Sequence, residues 1–210
     1  MMNKYPKVMI AHAINRPEFT KSFYQGMLQT LYSYPGEIAV RVAEGHLAGW
    51  GRNSLINDFV KTDADYIFFI DSDTGVPHEG LKKLVEHQKD IVSGLYFQRY
   101  PPYNPTFKKL QKNEFGNDQY LPILDYPEGL VEVDMVGAGC LLISRRVCEN
   151  LMEPYFFSPE QDYTEDTYFC LQAKKAGFSI YVDTTVKCLH DTAMTVDEVT
   201  FSMYKLRKGK

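Results

Sequence analysis

The stretch Tyr66-Ile67-Phe68-Phe69-Ile70, closed at once by Asp71-Ser72-Asp73, constrains the fold of this 210-residue chain more than any other. A short unbroken apolar run suits a strand covered on both faces. A half-buried strand would alternate, and a helix would show a period near 3.6. Doubly covered strands belong to mostly parallel sheets, whose crossovers lay helices on both faces. The first hundred residues supply such crossovers. Lys7–Ala13 reads as a first strand. Thr20–Tyr34 carries helical spacing, with Phe23, Met27, Leu28 and Leu31 on one side, and Ile38–Val42 reads as a second strand. A Gly-bearing loop, Glu44–Gly51, leads to Arg52–Lys61, where Leu55, Ile56, Phe59 and Val60 again recur at helical spacing. Tyr66–Ile70 is the third strand, Pro77–His87 a short helix, and a fourth strand starts at Asp90. This order predicts an α/β sandwich with a mostly parallel central sheet flanked by helices.

The second half is less regular. Arg99–Gly129 is rich in Pro, Tyr, Asn and Lys and reads as a long excursion with room for a small hairpin. Val131–Val136 and Cys140–Ser144 read as strands around Gly137-Ala138-Gly139. Ser158-Pro159-Glu160-Gln161 resembles a capping box. A helix is expected from Thr164 to Ala176, closed by Gly177. Phe178–Asp183 and Thr185–His190 read as late strands, and Tyr204–Lys210 as a basic, solvated tail. The chain is expected to form a single domain over 1–210, with halves at about 1–100 and 101–194 and a tail or lid at 195–210.

Charge narrows the function. Twenty-three basic and 27 acidic residues leave a net charge of −4, which argues against binding nucleic acid through phosphate attraction. No apolar segment approaches membrane-spanning length, and the N-terminal apolar run is too short for a signal peptide, so a cytoplasmic location is expected. The four cysteines, Cys140, Cys148, Cys170 and Cys188, form no CxxC pair and sit in apolar contexts, as buried reduced thiols do.

In open α/β sheets, ligands sit outside the carboxyl ends of the strands. Asp71 and Asp73 fall there. Residues i and i+2 at a strand end project to the same side. Two carboxylates about 6 Å apart repel by roughly 3 kcal/mol at an effective dielectric near 20. A divalent cation turns that repulsion into attraction, and Mg²⁺ or Mn²⁺ typically combines one or two carboxylates with substrate phosphates. A polar turn uses the same residue types, and spacing alone leaves both readings open.

Four stretches together resemble the GT-A glycosyltransferases, in their family 2-like and phage-type members. "DYIFFIDSDTG" is similar to the DxD segment. "GRNSLINDFVKTDADYIFFIDSD" is similar to the Arg-Asn helix that precedes it. "VGAGCLLISRRV" is similar to the Gly-rich strand pair near the acceptor, and "TEDTYFCLQAKKAGFSIYVDTTVKCLH" to the TED segment, helix and terminal histidine. The resemblance covers roughly Val8 to His190. It implies transfer of a sugar from a nucleotide diphosphate donor to an acceptor hydroxyl, dependent on Mn²⁺ or Mg²⁺ and inverting as in family 2. Asp73 and His190 would hold the metal, with Asp71 supporting metal or ribose. Asp166 would be the base and Glu165 its neighbour or an acceptor ligand. The first half would bind the nucleotide and the second the acceptor.

Further donor contacts are expected at Arg52, whose fork fits a diphosphate, at His12, Asn15 and Arg16 after the first strand, and at Glu44 after the second. The chain lacks the usual Pro after strand one and an aspartate placed to read uracil, so the base stays open. Tyr96, Phe97, Tyr100, Tyr103 and Trp50 are sugar-stacking or packing residues. Two alternatives stand beside transfer. A sugar nucleotidyltransferase would usually carry a Gly-rich basic loop after strand one, where this chain has "AHAINRPEF". A catalytically silent nucleotide- or carbohydrate-binding module would tolerate loss of Asp166. Gly137-Ala138-Gly139 is no dinucleotide fingerprint, because it leads into a strand instead of a helix.

Overall fold

A computed structural model describes residues 5–14, 18–44, 47–156, 164–192 and 195–208. In chain order the elements are β1 (Val8–Ile14), α1 (Lys21–Ser33), β2 (Ile38–Glu44), α2 (Ala48–Phe59), β3 (Tyr66–Ile70), β4 (Thr74–Gly75), α3 (Gly80–Glu86), β5 (Ile91–Leu95), β6 (Lys108–Lys112) and β7 (Asp118–Pro122). They continue as β8 (Leu130–Val133), β9 (Cys140–Ser144), α4 (Arg145–Asn150), α5 (Glu165–Lys175), β10 (Ile180–Lys187), β11 (Leu189–Asp191), β12 (Thr195–Val196) and α6 (Glu198–Lys208).

Seven strands form the central sheet in the order β2-β1-β3-β9-β5-β10-β8. Strands β2, β1, β3, β5 and β10 share one direction, and β9 and β8 run against them. The mostly parallel α/β sandwich expected from the sequence is therefore present.

Strand β3 shows why its run has no polar break. Ile67 and Phe69 enter one core, with Met9, Leu55, Phe59 and Phe156, while Phe68 and Ile70 enter the other, with Val8, Ile10, Phe23 and Leu84. Alternate side chains point to opposite faces, and helices cover both. All four cysteines are free and buried, as expected.

Several sequence expectations need correction. The loop assigned to Glu44–Gly51 is helical from Ala48 onward, because α2 starts there. Gly49 and Gly51 weaken helix propensity, which hides this turn from the sequence. Packing requires Gly51: a Cβ there would sit 3.0 Å from Ala13 Cβ on β1. The first late strand and the start of the second, up to Lys187, form one strand, β10, with a register shift between Asp183 and Lys187, and Leu189-His190 belong to the short strand β11. The second-half strand expected to reach Val136 ends at Val133, and α4 was not anticipated. The basic tail, through Lys208, is the end of α6, which docks on Phe97 after β5 and on Tyr103 in the excursion through Phe97–Phe201 and Tyr103–Tyr204 ring contacts at 5.1 and 5.5 Å. The hairpin allowed for in the excursion is β6-β7. The capping box falls outside the described residues, but Thr164 caps α5 by accepting from the Thr167 amide, and Gly177 ends it at φ +87°.

Candidate functional site

The carboxyl end of β3 is where the site begins. The chain leaves Ile70 in a turn in which the Thr74 amide donates to the Asp71 carbonyl at 3.0 Å. Strand alternation no longer applies to Asp71 and Asp73, and their side chains find different partners. Asp71 accepts from Arg52 Nη2 at 2.7 Å, whereas Asp73 accepts from Arg99 Nη1 at 2.7 Å. The expected pair of carboxylates facing one space is thus divided between two arginines.

A second sheet, β12-β11-β4, brings His190 to Asp73. His190 pairs with Thr74 across β11 and β4, and the Asp191 amide donates to the Asp73 carbonyl at 2.8 Å. Nε2 of His190 then lies 3.5 Å from Oδ1 of Asp73. The other ring nitrogen, Nδ1, is 2.6 Å from the Phe97 carbonyl. A carbonyl only accepts, so Nδ1 donates its N–H to Phe97, which leaves Nε2 turned toward Asp73. Burial opposes the charged form of Asp73, but His190 and Arg99 outweigh it and hold this carboxyl below the usual range.

The first turn of α5 supplies Glu165 and Asp166. Both reach Arg52, whose Nη1 lies 3.1 Å from Glu165 Oε1 and 3.5 Å from Asp166 Oδ1. Arg52 is only 2% exposed. Desolvation weakens its proton binding, yet Asp71, Asp166 and Glu165 more than compensate, so it stays charged. Burial, opposed by Arg52 and aided by Glu165 and Asp71, pushes the Asp166 carboxyl up to about 7. That value suits proton transfer near neutral pH.

Tyr96 joins the two halves. Its ring stands edge-on to His190 at 5.4 Å, and its hydroxyl accepts from the Gly139 amide at 2.9 Å. A Cβ at Gly137 would lie 2.1 Å from that hydroxyl and 3.5 Å from Asp166 Oδ2. The glycines of "GAG" therefore leave room for Tyr96 between the histidine and the carboxylate.

Other expected donor contacts lie differently. His12 is buried, donates from Nδ1 to the Ile70 carbonyl at 2.9 Å and packs edge-on against Phe23, so it faces inward and ties β1 to β3. Burial lowers its pKa. Arg52, expected to contact a diphosphate, bonds three carboxylates in this structure. Glu44 is exposed at the end of β2, and Asn15 and Arg16 fall outside the described residues. Trp50 lies on α2, about half exposed, in a groove of about 600 Å³ with Asn53, Asn57 and Glu153. Sequence reasoning missed Arg99. Its signal was weak: a lone arginine in an irregular segment whose aromatics drew the attention.

Among the described residues, no cluster of three or more His, Cys, Asp and Glu side chains is arranged to hold a metal. The Asp73–His190 pair nevertheless fits a divalent cation that takes its remaining ligands from substrate and water. The fixed Nδ1–H tautomer is the usual support of a metal-binding imidazole.

No protein-family model and no curated protein sequence matches the chain. Solved structures do match in fold. A197 from STIV superposes with a TM-score of 0.62 at 16% identity, over 89% of this chain and 86% of that one. The inositol-1-phosphate CTP transferase from T. maritima gives 0.51 at 14% identity, over 97% and 95%. GalNAc-T7, solved with UDP, GalNAc and Mn²⁺, gives 0.52 at 9% identity, over 86% of this chain and 43% of that one. The chain has a GT-A-like fold. At these identities the likeness concerns the fold alone. No helix among the described residues is long and apolar enough to cross a membrane.

Proposed function

We propose that this protein is a metal-dependent glycosyltransferase, moving a sugar from a nucleotide diphosphate donor to an acceptor hydroxyl. The observation that carries this reading is the junction of Asp73 and His190 at the sheet's carboxyl edge, with Nδ1 of the histidine anchored on Phe97. Asp73 and His190 would hold Mn²⁺ or Mg²⁺, with Asp71 close by in the same turn. When bound, such a cation offsets the charge that gathers on a departing diphosphate.

Asp166 would take the acceptor proton. Its carboxyl titrates near 7, so it is substantially ionised at neutral pH and still basic enough to accept. Arg52 holds it through Nη1, which it shares with Glu165. Tyr96 and the glycines at 137 and 139 are buried behind these groups and pack the wall between His190 and Asp166. We propose inversion at the anomeric carbon, with the acceptor side formed by the chain beyond residue 100. The donor would meet Glu44, Asn15 and Arg16 at the ends of the first two strands.

The test is a thermal-shift and turnover panel of nucleotide sugars with and without Mn²⁺. Stabilisation by one donor only with metal, and hydrolysis or transfer lost in Asp166→Asn, is expected. A chain indifferent to every donor with Mn²⁺ present overturns the proposal. The likeness to a CTP transferase over nearly the whole chain favours one rival. Release of pyrophosphate from a nucleoside triphosphate would establish that reading in its place.

A further inference from the structure

We propose that Arg99 is the resident counter-cation of Asp73, displaced when a divalent cation binds, and that the released guanidinium then grips the phosphate of the donor. This rests on the metal-dependent reading above. Arg99 Nη1 donates to Asp73 Oδ2 at 2.7 Å, while His190 Nε2 stands 3.5 Å from Oδ1. Both oxygens of Asp73 therefore face nitrogen groups, and a divalent cation at this carboxylate competes directly with the guanidinium. Two cations at one carboxylate repel, which weakens the hold of Asp73 on the guanidinium once a divalent cation is bound.

The geometry says which partner yields. The Asp73 backbone is pinned by the Asp191 amide, and its side chain is only 20% exposed. The Arg99 side chain is 45% exposed. Arg99 also belongs to the segment whose Phe97 carbonyl orients His190. One short stretch after β5 thus touches both members of the pair, so rearrangement at Arg99 and cation binding at His190 are mechanically linked.

The freed side chain has limited choices nearby. Asp71, Glu165 and Asp166 already converge on Arg52. A phosphate beside the cation offers the planar, doubly accepting partner that a guanidinium prefers. Metal and nucleotide would then favour one another, and linkage makes that coupling reciprocal.

Calorimetry on the full chain tests this. Mn²⁺ is titrated alone, and UDP, GDP, CDP and ADP are titrated separately at saturating Mn²⁺. Arg99→Ala should bind Mn²⁺ alone about threefold or more tightly than wild type, as expected for loss of a partly exposed competing ion pair. The same variant should bind its best nucleoside diphosphate about tenfold more weakly, the loss of one charge-assisted contact. Arg41→Ala on edge strand β2 removes an equal charge and should change neither value. Arg99→Ala with unchanged or weaker Mn²⁺ affinity, or with unchanged nucleotide affinity, overturns the inference while leaving the transferase reading in place. Absence of both Mn²⁺ and nucleotide binding from wild type and variant alike overturns the two together.

Discussion

Arg52 Nη1 lies 3.5 Å from Asp166 Oδ1, and the same guanidinium holds Asp71 at 2.7 Å and Glu165 at 3.1 Å. One buried positive charge therefore serves three carboxylates. Removing it leaves like charges facing each other in a poorly solvated space. Breaking a buried ion pair from one side typically costs about 3–5 kcal/mol. Arg52→Met should lose stability on that scale in urea unfolding. It should also move the acid limb of the kcat/KM profile to higher pH, because Arg52 lowers the Asp166 pKa. Arg52→Lys keeps the charge but not the fork, and should fall between. An Arg52→Met profile superposable on wild type would remove Arg52 from the electrostatics of Asp166.

Asp166 also gives the fold a pH dependence of unusual sign. Burial raises its carboxyl to about 7, above the ordinary carboxylate value it would have when unfolded. The native state then binds this proton more tightly than the unfolded state. Its stabilising contribution is complete below about pH 4 and is lost as pH rises towards 7. Asp166→Asn removes that loss while keeping the shape of the side chain. The variant should be inactive in transfer yet melt at higher temperature than wild type at pH 8, with the gap closing towards pH 5. A lower Tm at pH 8 would contradict the burial of a reluctant charge.

The sheet was legible in the sequence because burial on both faces leaves a simple trace. Tyr66–Ile70 and Cys140–Ser144 were placed to the residue. The end of the helix over Asp166 was readable from Gly177, since a C-cap acts locally, whereas the capping residue Thr164 emerges only in the structure. Less visible were features set by distant packing. The start of α2 is hidden by glycines, one of which, Gly51, lets the helix approach β1. The division of Asp71 from Asp73 depends on two arginines, one buried on α2 and one in an irregular loop. His190 beside Asp73 was expected only from family resemblance. Its cause, pairing of two very short strands, leaves almost no periodicity to read.

The Asp73–His190 pair should carry all Mn²⁺-dependent behaviour. Asp73→Asn keeps the shape of the side chain but loses the charge that a divalent cation needs. His190→Ala removes the lone pair and frees the Phe97 carbonyl. Each variant should lose the Mn²⁺-dependent part of nucleotide stabilisation in a thermal-shift assay, while the metal-free Tm of Asp73→Asn stays within a few degrees of wild type. Retention of a full Mn²⁺ response in both would place the cation elsewhere.

Tyr96 and Gly137 should behave as one unit. The Tyr96 hydroxyl occupies the position 2.1 Å from where a Gly137 side chain would begin, and it accepts from the Gly139 amide. Gly137→Ala must push the hydroxyl aside, and overpacking of this kind costs about 1–3 kcal/mol. It also breaks the bond to Gly139, and a buried amide left without a partner adds about 1–3 kcal/mol. Tyr96→Phe alone orphans the amide without any clash. In the double variant the hydroxyl is already gone, the clash is relieved and the amide is lost only once. Its cost in urea unfolding should fall short of the sum of the singles by about 1 kcal/mol or more, as contacting residues show in double-mutant cycles. Additive costs would mean that the strand pair at Gly137 shifts independently of Tyr96. The surface joining His190 to Asp166 would then be a looser assembly than this geometry implies.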